Sequence, residues 1–106
     1  MIYELRRYKV KKGKMKQWLK VMEEQILPFQ SSQGMVILAG FTAPKEKDTF
    51  VWLRRFRNDA ERKRQYRKVY ESEHWKKVIA PQTEALLDLS AMVVTDLSPV
   101  PWSILQ

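Results

Sequence analysis

The chain has no cysteine, one histidine and only three glycines in 106 residues. Without cysteine, disulfides, thiolate catalysis and cysteine-ligated metals are all excluded. With His74 as the lone histidine, a structural zinc site has no ligand set either. Gly13, Gly34 and Gly40 stand far apart, so there is no glycine-rich phosphate loop. Ser31 and Ser32 lack the Gly-x-Ser-x-Gly setting of a nucleophile elbow. No apolar run approaches the ~18 residues of a membrane span. The opening residues lack the basic-then-apolar order of a signal peptide. No clustered acids suggest a metal, and no motif demands a cofactor. These absences lead us to expect a soluble, cytoplasmic, cofactor-free protein.

What is present is a modest core and a strong positive charge. Hydrophobic residues make up 44% of the chain, enough for one packed domain and too many for a disordered one. The net charge is +8, and two blocks hold 16 of the 20 lysines and arginines. The first runs from Arg6 to Lys20 without an acid; the second runs from Arg54 to Lys68 and contains only Asp59 and Glu61. Such blocks attract anions. They are equally read as solvated helix faces, because the basic residues are spread around their helices.

Taken in order, residues 2–10 alternate as a strand, and Lys11-Lys12-Gly13 is a turn. Met15, Trp18, Leu19, Met22 and Ile26 recur at three and four residues, one stripe of a helix over 14–27. Pro28 weakens its end, Phe29 extends the stripe, and Gly34 suits a left-handed cap. A mostly apolar second strand over 35–42 reads as buried on both faces, with Gly40 marking a bulge or a close backbone approach. A polar hairpin connection leads to a third strand over 49–56. There Phe50, Trp52, Arg54 and Phe56 oppose Val51 and Leu53. Asn58 reads as the cap of a helix over 59–71, with Glu61 three residues on. Ser72 caps a shorter helix carrying Trp75, Val78 and Ile79, and Pro81 suits the first turn of one more. A fourth strand covers about 87–95. Residues 99–106 form an apolar tail with Pro99, Pro101 and Trp102, outside a domain of residues 1–98.

The order β-α-β-β-α-β specifies an α+β, ferredoxin-like fold: a four-stranded antiparallel sheet with helices on one face. The other face would then be bare. We expect Ile2, Tyr8, Trp52 and Phe56 on that bare face, and a homodimer formed through it, because a patch of that size is rare on a monomer. The tail is expected to pack on the partner.

Glu4, Arg6 and Tyr8 fall on one side of the first strand, and Trp52 and Arg54 on one side of the third. Two readings of these five compete. In one, they form a pocket: arginine forks hold a carboxylate or phosphate, and the aromatic rings stack on a planar ligand. In the other, Glu4 pairs with Arg6 or Arg54 and fixes the sheet or the dimer. A carboxylate beside two arginines should be ionised and a poor general acid. Trp18, Met15 and Met22 read as core, as does Trp75. His74, in Ser-Glu-His-Trp, reads as a solvated helix start.

Met1-Ile-Tyr-Glu-Leu-Arg6, then Tyr8 and Lys12-Gly13-Lys14, resembles the opening of NIPSNAP-family domains. Gly40-Phe41-Thr42 and Leu53-Arg54-Arg55-Phe56 resemble the family's Gly-aromatic and Leu-Trp-Arg-Tyr elements, and Ala60-Glu61-Arg62 and Trp75 resemble its helix positions. The likeness spans about Met1 to Val94. Arg54 stands where the family has a tryptophan, with Trp52 on the same face. The resemblance implies a dimeric α/β barrel, two ferredoxin-like subunits joined sheet to sheet, with an undefined biochemical role. The haem-degrading relatives of this fold use a first-strand asparagine and a helix histidine, and the first strand here has no asparagine. The expected function is therefore binding of a small organic or anionic ligand by a homodimer. The first alternative is a cofactor-free monooxygenase-like enzyme, for which no strong base is evident. The second is a basic nucleic-acid-binding module. It is disfavoured because the strands lack an RNP signature and a dimer would cover the sheet.

Overall fold

The computed structural model describes residues 1–106. β1 (Ile2–Val10) leads into a helical rod made of α1 (Met15–Val21), a π-helical segment (Met22–Ile26) and α2 (Leu27–Ser32). β2 (Val36–Thr42) and β3 (Thr49–Phe56) form the hairpin. α3 (Asp59–Tyr70) follows, then a second π-helical segment (Trp75–Ile79), α4 (Ala80–Leu86) and β4 (Leu87–Leu97). The strands form one antiparallel sheet in the order β2-β3-β1-β4, the ferredoxin-like arrangement. No helix is long and apolar enough to cross a membrane.

Register decides which residues are covered. Glu4 lies opposite Arg54, Arg6 opposite Trp52 and Tyr8 opposite Phe50, all on the face beneath the helices. The main core joins Tyr8, Val10, Phe50 and Trp52 of the sheet to Trp18, Met22 and Ile26 of the rod and to Ile79 and Leu86. This corrects the expectation for Tyr8, Trp52 and Phe56. They are buried under helices, not spread over the bare face, and offer no stacking platform for nucleic acid. Strict alternation gives two possible faces, and both carry aromatic residues, so the pattern alone does not say which one the helices choose. The bare face instead carries Leu5, Val51 and Leu53 at its centre, with the more exposed Val36, Phe41, Val93 and Leu97 around them.

β2 is also corrected. It is an edge strand and largely exposed, and its register breaks between Ile37 and Ala39 rather than at Gly40. The tail doubles back on its own sheet, where the Tyr3 hydroxyl donates to the carbonyl of Gln106 at 2.7 Å. Trp102 and Ile104 remain 86% and 99% exposed.

Both helical rods are shaped by prolines. Each π-helical segment ends two residues before a proline, Pro28 or Pro81. A proline supplies no N–H and its ring crowds the carbonyl four residues back, so a wider turn upstream relieves it. In a regular helix, side chains four apart drift by about 40° per step. One residue absorbed in a π turn largely cancels that drift. As a result Trp18, Met22, Ile26 and Gln30 all face the sheet, as do Trp75, Ile79 and Thr83.

The rod ends in a Schellman motif. Met35 N–H donates to the Gln30 carbonyl at 3.1 Å and Gly34 N–H to Ser31 at 3.0 Å, with Gly34 at φ +97°. A Cβ on Gly34 would stand 3.2 Å from the side-chain nitrogen of Gln65, which itself donates to the Gly34 carbonyl at 2.9 Å. Gly13, at φ +76°, has open space around it. Gly13→Ala should therefore cost about 1–2 kcal/mol from backbone strain alone. Gly34→Ala should cost more, because Gln65 must also move. Urea unfolding of the two variants checks that ranking.

Candidate functional site

Glu4 and Arg54 are 1% and 0% exposed, a charged pair placed in the core by direct cross-strand pairing. One carboxylate oxygen of Glu4 accepts from Arg54 Nη2 at 2.6 Å, Arg54 Nε at 3.2 Å and Arg6 Nη1 at 3.0 Å. The other accepts from the Tyr66 hydroxyl and meets Arg62 Nη1 at 3.5 Å. Arg54 Nη1 donates to Gln30 Oε1 at 2.9 Å, to the Tyr70 hydroxyl at 2.8 Å and to Met35 Sδ at 3.2 Å. The rings of Trp52, Phe56, Tyr66 and Tyr70 surround its guanidinium at 4.8 to 5.9 Å. The Schellman motif thus brings Gln30 and Met35, on either side of the helix end, onto one cation.

Burial pushes the Glu4 carboxyl up, but Arg54, Tyr66 and Arg6 outweigh it and hold it below its ordinary value. Burial and the neighbouring carboxylate push the Tyr66 hydroxyl up to about 12. Burial also raises Tyr8. Arg6 and Arg54 remain cations despite burial. Arg62 divides its charge among Glu4, Asp59 and Asp96, so Glu4 neutralises one of the two inner guanidiniums and leaves the region positive.

That surplus borders a cavity of about 160 Å³ between sheet and helices. Arg6, Tyr8 and Trp52 form its floor; Trp18, Met22, Ile26 and Gln30 line one wall and Trp75, Thr83 and Leu87 the other. The β4 edge is open because four residues, Leu89 to Met92, stand against the single Tyr8 of β1. Leu89 and Met92 form that rim. Bulges of this kind are common beside binding sites. Above the cavity the two rods are joined by a reciprocal amide pair, Gln25 with Gln82, at 3.0 and 2.6 Å.

The lining has donors in excess. Because Arg54 occupies Gln30 Oε1, the amide orientation is fixed and its Nε2 is left without an acceptor. The indole nitrogens of Trp18 and Trp52 are buried without acceptors too. The Tyr8 hydroxyl accepts from Arg6 Nε at 2.7 Å, which directs its own proton elsewhere. Buried donors without acceptors are costly and uncommon.

The five residues singled out in the sequence do meet here, but they divide. Arg6, Tyr8 and Trp52 line the cavity, whereas Glu4 and Arg54 lie behind it as an ion pair. Gln30, Tyr66 and Tyr70 were missed. Gln30 had a signal, since it continues the four-residue spacing of Trp18, Met22 and Ile26; the tyrosines had none beyond the thin apolar side of α3. His74 is exposed and packs on Phe29, with ring centres 4.8 Å apart. No group of three histidine, aspartate or glutamate side chains is close enough to hold a metal.

The NIPSNAP family model matches residues 3–104. Among solved structures, a NIPSNAP family protein of unknown function from Agrobacterium tumefaciens is similar over all of this chain and 94% of its own, at 21% identity and TM-score 0.90. An uncharacterised NIPSNAP domain protein from Burkholderia xenovorans is similar over 97% and 98% at 17% identity and TM-score 0.86. A protein described as an antibiotic biosynthesis monooxygenase is similar over 95% and 100% at 17% identity, with a lower TM-score of 0.68. At these identities the likeness establishes the fold alone. No curated protein matches.

Removing one partner of the central pair should be severe. Glu4→Gln keeps the shape but leaves two buried guanidiniums facing a neutral amide, and should cost about 3–5 kcal/mol in urea unfolding at neutral pH. Because the folded carboxyl titrates below its ordinary 4.5, its contribution is fully present above that pH. It is lost as pH falls through the lower folded value. Stability measured across the acid range should therefore fall more steeply for the native chain than for Glu4→Gln.

Proposed function

The chain belongs to the NIPSNAP family, and from that premise we propose that it is a homodimeric binding protein that holds a small organic anion between its sheet and its helices. The observation that carries this reading is the excess of unpaired donors on residues around the inner cavity. The nitrogens of Gln30, Trp18 and Trp52 lack acceptors, and Arg6 beside them is only half neutralised by a carboxylate shared with Arg54. A carboxylate supplies the missing acceptors and the missing negative charge together. Its body would lie against Ile26, Trp75, Leu87 and Met92. A volume near 160 Å³ suits a single ring.

The enzymatic alternative lacks a comparable support. Glu4 is ionised and engaged on both oxygens, so it anchors cations and is not available to take a proton. A cytoplasmic setting is part of the same proposal, since a cysteine-free chain gains nothing from an oxidising compartment.

Dimerisation is supported by the bare face. Val36, Phe41, Val93 and Leu97 are exposed together with Trp102 and Ile104 of the tail, a distribution unusual for a monomer. Light scattering should give twice the 12.7 kDa chain mass, and Val93→Glu should shift it toward one chain. A single-chain mass for the native protein removes the dimer.

Ligand binding is tested by tryptophan fluorescence, with Trp18, Trp52 and Trp75 around the cavity. Benzoate should bind saturably and about tenfold or more tighter than benzyl alcohol, as expected for charge-assisted hydrogen bonds. Arg6→Gln should remove that preference. Absence of saturable carboxylate binding, or equal binding of the alcohol, overturns the proposal.

A further inference from the structure

A second, larger depression lies on the other side of two of the same residues. It is a groove of about 500 Å³ between the helical rod and the edge strand β2, with Leu19, Leu27, Ile37, Phe41 and Phe50 among its walls. Glu23 is its single charged residue, and Gly40 presents no side chain. Leu19 is 39% exposed along it, although it is large and apolar. Met22 and Trp52 belong to the linings of both spaces. The inner cavity and the outer groove are therefore neighbours separated by an indole and a thioether.

The two spaces have opposite chemistry. The inner one presents hydrogen-bond donors and surplus positive charge; the outer one presents apolar surface with almost no polar demand. Met22 is the movable part of the wall. Its side chain is unbranched, with three rotatable bonds, and it begins the widened π-helical segment of the rod. Trp52 is held in place by the cation packed on its face, with Arg54 at 4.8 Å.

We infer that the ligand is an amphiphilic carboxylate, with its head among Arg6, Gln30 and Trp52 and an unbranched acyl tail passing Met22 into the groove beside β2. This rests on the anion-binding reading of the inner cavity and adds the class of ligand. The groove is filled by the ligand's own tail, because its apolar walls adjoin the one buried place that attracts a carboxylate head. Neither space alone fits such a molecule: the cavity is too short for the chain, and the groove offers the head no donors.

A ladder of straight-chain acids tests the inference. From butyrate to decanoate, affinity read by tryptophan fluorescence should rise by at least about a hundredfold, since each added methylene leaves water for an apolar wall. Decanol should bind more weakly than decanoate, and Arg6→Gln should bring the two together. Gly40→Leu, which puts a side chain into the groove beside Phe50 and leaves the cavity lining untouched, should leave benzoate binding intact and abolish most of the gain with chain length. In the unaltered protein, NMR contacts should link the distal methylenes of decanoate to Leu19, Leu27 and Ile37. If benzoate binds but the ladder is flat, the amphiphile is wrong and the anion site stands. A gain that survives Gly40→Leu, or distal methylenes that touch other residues, also overturns the inference. If no acid in the ladder and no benzoate binds, the anion site fails and this inference fails with it.

Discussion

A carboxylate and a guanidinium face each other across the two central strands, and neither reaches water. Burying charge in this way is unfavourable by several kcal/mol per ion unless each ion is matched and fully hydrogen-bonded. Glu4 is matched by Arg54 and Arg6, and Arg54 by Glu4, Gln30, Tyr70 and the enclosing rings. These partners come from β1, β3, α2 and α3, so the pair is satisfied only when four elements are docked together. Slipping β1 by one residue against β3 would turn Glu4 to the bare face and leave Arg54 alone in the core. The pair is thus better understood as a device for register and docking than as a source of net stability.

The same arrangement generates the surplus that makes the cavity interesting. A single carboxylate cannot neutralise two inner guanidiniums, and the third, Arg62, is already shared with acids at the surface. The excess charge sits on the side of Arg6, facing the cavity between sheet and helices. Three departures from regular structure create that space: two π-helical segments and the mismatch between four residues of β4 and one of β1. Each gives up regular hydrogen bonding or close packing. Their convergence on one region, around residues that carry donors without acceptors, is what motivates the binding proposal.

Much of this was legible before the structure. The strand alternation of residues 2–10 and 49–56, the Asn58 cap and the Gly34 stop all follow from local rules; Asn58 accepts from Glu61 N–H at 2.8 Å. The grouping of Glu4, Arg6, Tyr8, Trp52 and Arg54 on one side of two strands was legible too, because a period of two admits little else. Which side the helices cover was not, since Tyr3, Leu5 and Leu53 on the opposite face are as apolar as the residues beneath the helices. β2 was misread because a short apolar run looks alike whether it is central or lies at an edge beside an apolar groove. The π-helical segments were hidden for a different reason. Pro28 and Pro81 announce a disturbance, but whether the chain kinks, stops or widens depends on what the helix packs against.

Separating the cavity residues from the ion pair behind them sharpens what the chemistry permits. Had Glu4 lined the cavity, a proton acceptor would face the ligand and acid–base chemistry would be the natural reading. Instead its oxygens point to Arg54, Arg6 and Tyr66, and its carboxyl is held ionised. The residues that do line the space carry a guanidinium, a phenol raised by burial, an amide, two indoles and the hydroxyls of Thr83 and Tyr70. That inventory fits the proposed binding of an anion better than it fits proton transfer. Under that proposal, a reaction would require a bound molecule to supply the base.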